Sequence, residues 1–326
     1  MARETITKHM YCKRVMFLKP NDKQSLQAKL SEAFAKLIKV GARKEVLGND
    51  SSYVRAVIYH RSYANMLFGI LASYERGTHQ LTVADDDDAE MLTVDQVAPP
   101  KNDDNKRQEF LEGVCYFCIS KNHVVLMPSR ALGAKPLEHH ANWILAKAGV
   151  LAKDNRVGLS DQITQATSER IRASHVKEVE IGAPLLDSSE HEVKPEVKGH
   201  RVAAREYGGF GIDILRKVLG DDRVNKMRLA DAVDGNIEVT LKIRYKRSTT
   251  EKAHKFLDNI ALAVRNLDED EVKLKLAGGG IVKGSELKLS TPVSIQARDG
   301  IPNPDEVFGK MREWLILQIE NQIIEP

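Results

Sequence analysis

The stretch from Asn236 to Arg247, NIEVTLKIRYKR, alternates almost without a break. Ile237, Val239, Leu241, Ile243 and Tyr245 fall on one side of an extended chain, and Glu238, Thr240, Lys242, Arg244 and Lys246 on the other. Two later segments repeat the pattern. Val272, Leu274 and Leu276 alternate with Lys273 and Lys275, and Leu287 and Leu289 alternate with Glu286 and Lys288. The spacing predicts strands over 236–247, 271–277 and 286–295. Upstream it predicts a strand from His9 to Leu18 and extended or mixed segments over Tyr53–Tyr59 and Tyr63–Tyr74. A hairpin is expected over Gly113–Ser129, turning at Ser120-Lys121-Asn122-His123.

Helical spacing appears over 22–40 (Leu26, Leu30, Phe34, Leu37) and in PLEHHANWILAKAG, which stops at Gly149. Gly208–Gly211 introduces a short helix over Ile212–Leu219. Ser248 and Glu251 form a capping-box pair ahead of a helix over 249–265, and Asn303-Pro304-Asp305-Glu306 opens a terminal helix carrying Phe308, Met311, Leu315 and Ile319. Trp314 and Ile316 make that helix apolar nearly all round, which fits packing on its own domain and fits a dimer interface. Asp85–Asp88, Pro99–Asn105 and the polar run 186–200 read as exposed connections. The fold class is α+β, with two domains, 1–160 and 161–326, each a mainly antiparallel sheet with packed helices.

Composition narrows the class. The chain has 326 residues, 42% hydrophobic and 29% charged, enough to bury a core without disulfides or metals. Three cysteines, Cys12, Cys115 and Cys118, do not make a secreted disulfide framework. No apolar run reaches the ~20 residues of a membrane-spanning helix, and MARETITKHMYCKR lacks the apolar centre of a signal peptide, so a cytoplasmic location is expected. The net charge is only +3, with about +5 in residues 1–160 and about −2 in the rest, so a basic surface must be local.

The three alternating strands supply one. Sharing a sheet, they would place Lys242, Arg244, Lys246, Lys273, Lys275 and Lys288 on its non-core face, with Arg247, Lys252 and Lys255 near the start of the following helix. Cations on a grid of ~4.8 Å by ~6.6 Å repel one another and are relieved by a polyanion such as DNA. Phosphate contacts of this kind hold any sequence, and no helix-turn-helix, zinc-finger or RNP signature is present to read bases. The competing reading is a solvated antiparallel face whose lysines discourage edge pairing.

Other chemistry is thinner. Cys115 and Cys118 match C-x-x-C but lie in a strand, where residues three apart face opposite ways. His139-His140 lacks the spacing of a helical zinc site, and His191 and His200 lie in the polar run. Gly208–Gly211 and Gly278–Gly280 match no phosphate-binding loop, so neither cofactor nor metal is expected. The enzymatic alternative is a metal-dependent nuclease using Asp187 with Glu192-Val193-Lys194, or Glu271-Val272-Lys273. A protein-binding defence factor with incidental DNA affinity is a third reading.

FGIDILRKVLG (Phe210–Gly220), VTLKIRYKRSTTEKAHKFLDNI and VKLKLAGGGIVKGSELKLSTPV, in that order, resemble the C-terminal half of the RexA-like phage-exclusion proteins. The hairpin Gly113–Ser129 and the helix around Trp143 resemble their N-terminal half. The resemblance spans residues 210–320 and this second stretch, rests on element order rather than a diagnostic motif, and leaves insertions around 85–105 and 186–200. It implies a fold similar to the recombination-associated protein RdgC, a homodimer, and DNA binding without sequence preference. It also implies a role in superinfection exclusion and lysogeny control for a temperate phage or prophage, with a RexB-like membrane channel as partner, and no catalysis.

Overall fold

The structure is a computed structural model. It describes residues 3–19, 24–47, 52–83, 91, 94–152, 154–184, 192–193, 204–205, 210–220, 224, 238–245, 250–263 and 272–324. The chain divides into two compact units, one formed by Met1–Gln162 with Lys288–Pro326, the other by Ile163–Leu287. Helices combine with wholly antiparallel ladders, so the class is α+β.

The first unit is built on a nine-stranded sheet. Its strands are β1 (Arg3–Phe17), β2 (Lys44–Leu47), β3 (Tyr53–Tyr63), β4 (Met66–Glu75), β7 (Gly113–Ser120), β8 (His123–Met127), β9 (Val157–Asp161), β16 (Ser290–Arg298) and β17 (Ile301–Pro302). A separate ribbon pairs β5 (Gln80–Val83) with β6 (Val94–Val97). Along the sheet the order is β17-β16-β1-β8-β7-β4-β3-β2, with β9 also on β1.

Both faces of this sheet are covered, and the sequence of β4, MLFGILASYE, shows why it reads as one apolar run. Leu67 and Leu71 join Cys115, Phe117 and Ile119 of β7 beneath α1 (Leu26–Lys36) and α2 (Ala134–Lys147). Met66, Phe68 and Ile70 join Tyr116 and Cys118 on the opposite face. There the terminal helix, numbered α6 below (Pro304–Glu320), lays down Val307, Phe308, Met311 and Leu315. Asn303 caps that helix by accepting from Asp305 N at 3.0 Å, with Pro304 in its first turn. The apolar stripe of α6 is therefore consumed by its own unit, while Leu317 stays exposed.

The second unit has a four-stranded sheet in the order β13-β10-β14-β15. These are β10 (Val176–Pro184), β13 (Glu238–Arg244), β14 (Val272–Leu276) and β15 (Ile281–Lys283). A short pair, β11 (Glu192–Val193) with β12 (Ala204–Arg205), stands apart. Its helices include α3 (Gln165–Ser174), α4 (Phe210–Leu219) and α5 (Glu251–Ala263). Val176, Val179, Ile181, Val272, Leu274, Leu276 and Val282 form the core face, closed by Leu257 and Ala261 of α5.

A continuous second domain over 161–326 is corrected by this arrangement. After Leu287 the chain returns to the first unit, where β16 pairs with β1 from Arg3↔Arg298 to Tyr11↔Ser290. Leu287 is buried in the core of the second unit and Leu289 in that of the first, so the apparent alternation over 286–289 marks a crossing between units rather than a strand. Residues Gly284–Leu287 form a 3-10 turn instead. The second unit is thus an insertion between β9 and β16. These two strands follow one another along the same edge of β1, and the junction closes through Leu289 N donating to Gln162 O at 2.7 Å and Cys12 N donating to Leu289 O at 2.8 Å.

Candidate nucleic-acid interface

The outer face of the second unit's sheet is set by β10, a strand that the sequence reading passed over. Register places Glu178 opposite Arg244 on one side and Lys275 on the other, and Glu180 opposite Lys242 and Lys273. A bulge at Lys177 shifts the alternation between Val176 and Glu178, which turns both glutamates outward while Val179 and Ile181 stay in the core. With Lys177 in regular alternation instead of bulged, Val176 in the core would force Glu178 into an apolar interior.

The face therefore has an acidic spine with basic flanks. Glu178 accepts from Lys275 Nζ at 2.7 Å and faces Lys242 Nζ at 3.5 Å and Arg244 Nη1 at 3.9 Å, with only 10% of its side chain exposed. The Lys275 hydrogen bond is the main cause holding the Glu178 carboxyl below the usual carboxylate range. Lys242 also lies 3.1 Å from Glu180 Oε2, and this contact pushes its ammonium pKa up. On β14 and β15, Lys273 and Lys283 are direct cross-strand partners, both exposed. Like charges at such a position destabilise the pair. Among the described residues no carboxylate lies within 4.0 Å of either ammonium, although Glu286 accepts from the Lys283 backbone N at 2.9 Å. The described side chains of the face carry Lys242, Arg244, Lys273, Lys275 and Lys283 against Glu178 and Glu180.

The structure thus brings Lys242, Arg244, Lys273 and Lys275 together as the alternation predicted. Lys288 is corrected out of the group, because it belongs to the first unit and no strand of the second unit includes it. Lys252 is corrected as well. Its helix, α5, packs on the core side of the sheet through Leu257 and Ala261, so the sheet separates Lys252 from the outer face. Lys255, on the same helix, pairs with Glu251 at 2.7 Å. Lys246 and Arg247 lie outside the described residues. Lys283 and the two glutamates were missed; the signal available was the period of Val179-Glu180-Ile181, which the Lys177 bulge interrupts.

The remaining candidates resolve individually. Cys115 and Cys118 are buried on opposite faces of β7, and burial pushes the Cys115 thiol up to about 12 and that of Cys118 up too. His140 is buried in a network with Arg55 around Glu45, its Nδ1 2.8 Å from Glu45 Oε2. Glu192 and Val193 form β11, while Asp187, Lys194, Glu271, His191, His200 and Asp85–Asp88 lie outside the described residues. Among the described residues no group of three or more His, Cys, Asp or Glu is placed to hold a metal ion, and no helix is long and apolar enough to cross a membrane. No family model and no curated protein matches the chain.

Proposed function

We propose that the protein binds the phosphate backbone of nucleic acid, without sequence preference, on the outer face of its second unit's sheet. The carrying observation is the cross-strand pair Lys273↔Lys283, two like charges held directly opposite each other beside Lys242, Arg244 and Lys275. A merely solvated face has no need of that pair, whereas an anion laid across it removes the repulsion. Five cations spread over three of the four strands also match the spacing of successive phosphates better than a single point contact. Glu178 and Glu180 lower the net charge and keep the face from attracting anions indiscriminately.

The same reading extends to what the RexA-like resemblance implies: an RdgC-like fold, a cytoplasmic homodimer in a bacterial host, a role in phage exclusion, and a membrane channel as partner. The test of the core statement is anisotropy with two unrelated duplexes of equal length across a salt series, with Mg²⁺ present. Equal affinity for both duplexes, a steep salt slope and intact DNA are expected. Cleavage would favour the nuclease reading, and no binding at low salt would end the proposal.

A further inference from the structure

α6 commits Val307, Phe308, Met311 and Leu315 to its own unit, which leaves a second stripe turned away from the sheet. Lys310, Glu313, Leu317 and Glu320 form that stripe, at the alternating three- and four-residue spacing of a coiled-coil seam. Leu317 is 50% exposed there, and Trp314 and Ile316 are half-buried at its flanks. Beside it runs a groove of about 520 Å³, with Met10, Pro292 and Val293 along the sheet wall and Trp314 and Leu317 along the helix wall. Gly309 adds a second sign. Glycine weakens the middle of a helix relative to alanine, yet a Cβ here would meet nothing within 4 Å among the described residues. The small residue answers no need of its own unit, whereas close approach of another backbone requires one.

The charges on the stripe are ordered so that it complements itself. In two antiparallel helices related by a two-fold axis, each contact between two positions occurs twice. With the axis level with Leu315, Lys310 faces Glu320 of the second copy, Glu313 faces Leu317, and Trp314 faces Ile316. A parallel pair would instead set Glu313 on Glu313 and Glu320 on Glu320, and would be repelled. Both charges are available for this use. Lys310 reaches Glu313 within its own helix only at 4.0 Å, and Glu320 has no ion-pair partner among the described residues. We propose that two copies of the chain join through this stripe, their α6 helices antiparallel and closed by two reciprocal Lys310–Glu320 ion pairs. This rests on the homodimer of the proposed function and gives it an interface, on a unit that does not carry the nucleic-acid face.

Sedimentation velocity on the full chain at micromolar concentration is the test. The wild type should sediment as a dimer. Lys310→Glu and Glu320→Lys each bring like charges together twice, so each alone should weaken the dimer about tenfold. Mixed in equal amounts, the two variants should regain the wild-type dimer, because every pair between them is again of opposite sign. The Lys310→Glu/Glu320→Lys double variant should regain it as well, and recovery in either form shows that the chains fold. Leu317→Glu, at a half-exposed position, should leave a folded monomer. A wild type that stays monomeric overturns the interface and the homodimer together. A dimer that withstands Leu317→Glu or either charge reversal, or that fails to return on mixing, overturns the interface alone and leaves the homodimer standing.

Discussion

Glu178 and Lys275 face each other across the β10–β14 pair, with Lys275 Nζ 2.7 Å from Glu178 Oε1, and this contact decides how much of the cationic charge on the sheet's outer face is free. Glu178→Gln removes the charge that Lys275, Lys242 and Arg244 share. Duplex affinity should rise and the salt slope should steepen by about one unit, while stability falls by about 1 kcal/mol for the lost charge-assisted bond. Anisotropy and urea denaturation on the same sample check the two opposite signs together.

The pH dependence follows from the same carboxyl. Its folded pKa is depressed below the unfolded value of about 4.3, so its stabilising contribution is complete above that value and is lost as pH falls through the folded pKa. Lys242 has the reverse sign: its folded pKa is raised, so its contribution is present below about 10.4 and is lost as pH climbs through the folded value. Urea midpoints measured from neutral pH into acid should fall for the wild type and fall less for Glu178→Gln. Parallel curves would contradict the assignment.

Lys273→Ala/Lys283→Ala tests the repulsive pair directly. Binding should weaken for every sequence, with a salt slope about two units shallower, and the fold should be as stable as the wild type or slightly more so. A clear loss of stability would show that the pair is tied into the fold by contacts that the free protein needs.

In the first unit, Lys13 and Asp161 form a buried ion pair across the β1–β9 ladder, with 11% and 2% of their side chains exposed. Burial pulls the Lys13 ammonium pKa down, and Asp161 opposes that shift. Lys13→Met strands a buried carboxylate and should cost about 3–5 kcal/mol; adding Asp161→Leu should restore much of it. Chemical denaturation of the single and double variants measures the difference.

Gly69 lies opposite Phe117 in the β4–β7 pair, and a Cβ at Gly69 would come within 2.2 Å of the Phe117 ring. Gly69→Ala should cost about 1–3 kcal/mol through overpacking, and Phe117→Leu in the same chain should recover part of that loss. Thermal melting of the wild type and these two variants is sufficient.

Much of this architecture was legible because its signals are local. The hairpin Gly113–Ser129 turns where Lys121 takes a φ of +51°, the Asn303-Pro304 cap starts the terminal helix, and the alternation of β13 and β14 sorts Lys242, Arg244, Lys273 and Lys275 outward. What escaped depends on partners distant in sequence. Leu287 and Leu289 look like one strand until their two cores are seen to differ. The neutralising spine of β10 was hidden because one bulged residue breaks the period on which the reading relied. Lys252 looked like part of the surface because a helix following a basic strand gives no sign of which side of the sheet it will cover.

Gln162 and Leu289 touch through a single peptide-to-peptide hydrogen bond, although everything from Ile163 to Lys288 intervenes. For the nine-stranded sheet, that whole segment is one loop with coincident ends. Loop-closure entropy grows only logarithmically, by about 0.6 kcal/mol per doubling of length, so the sheet is nearly indifferent to what the loop contains. The basic sheet face is therefore carried as an exchangeable cassette: it can be lengthened, swapped or excised and bridged by a tight turn at little cost to its host.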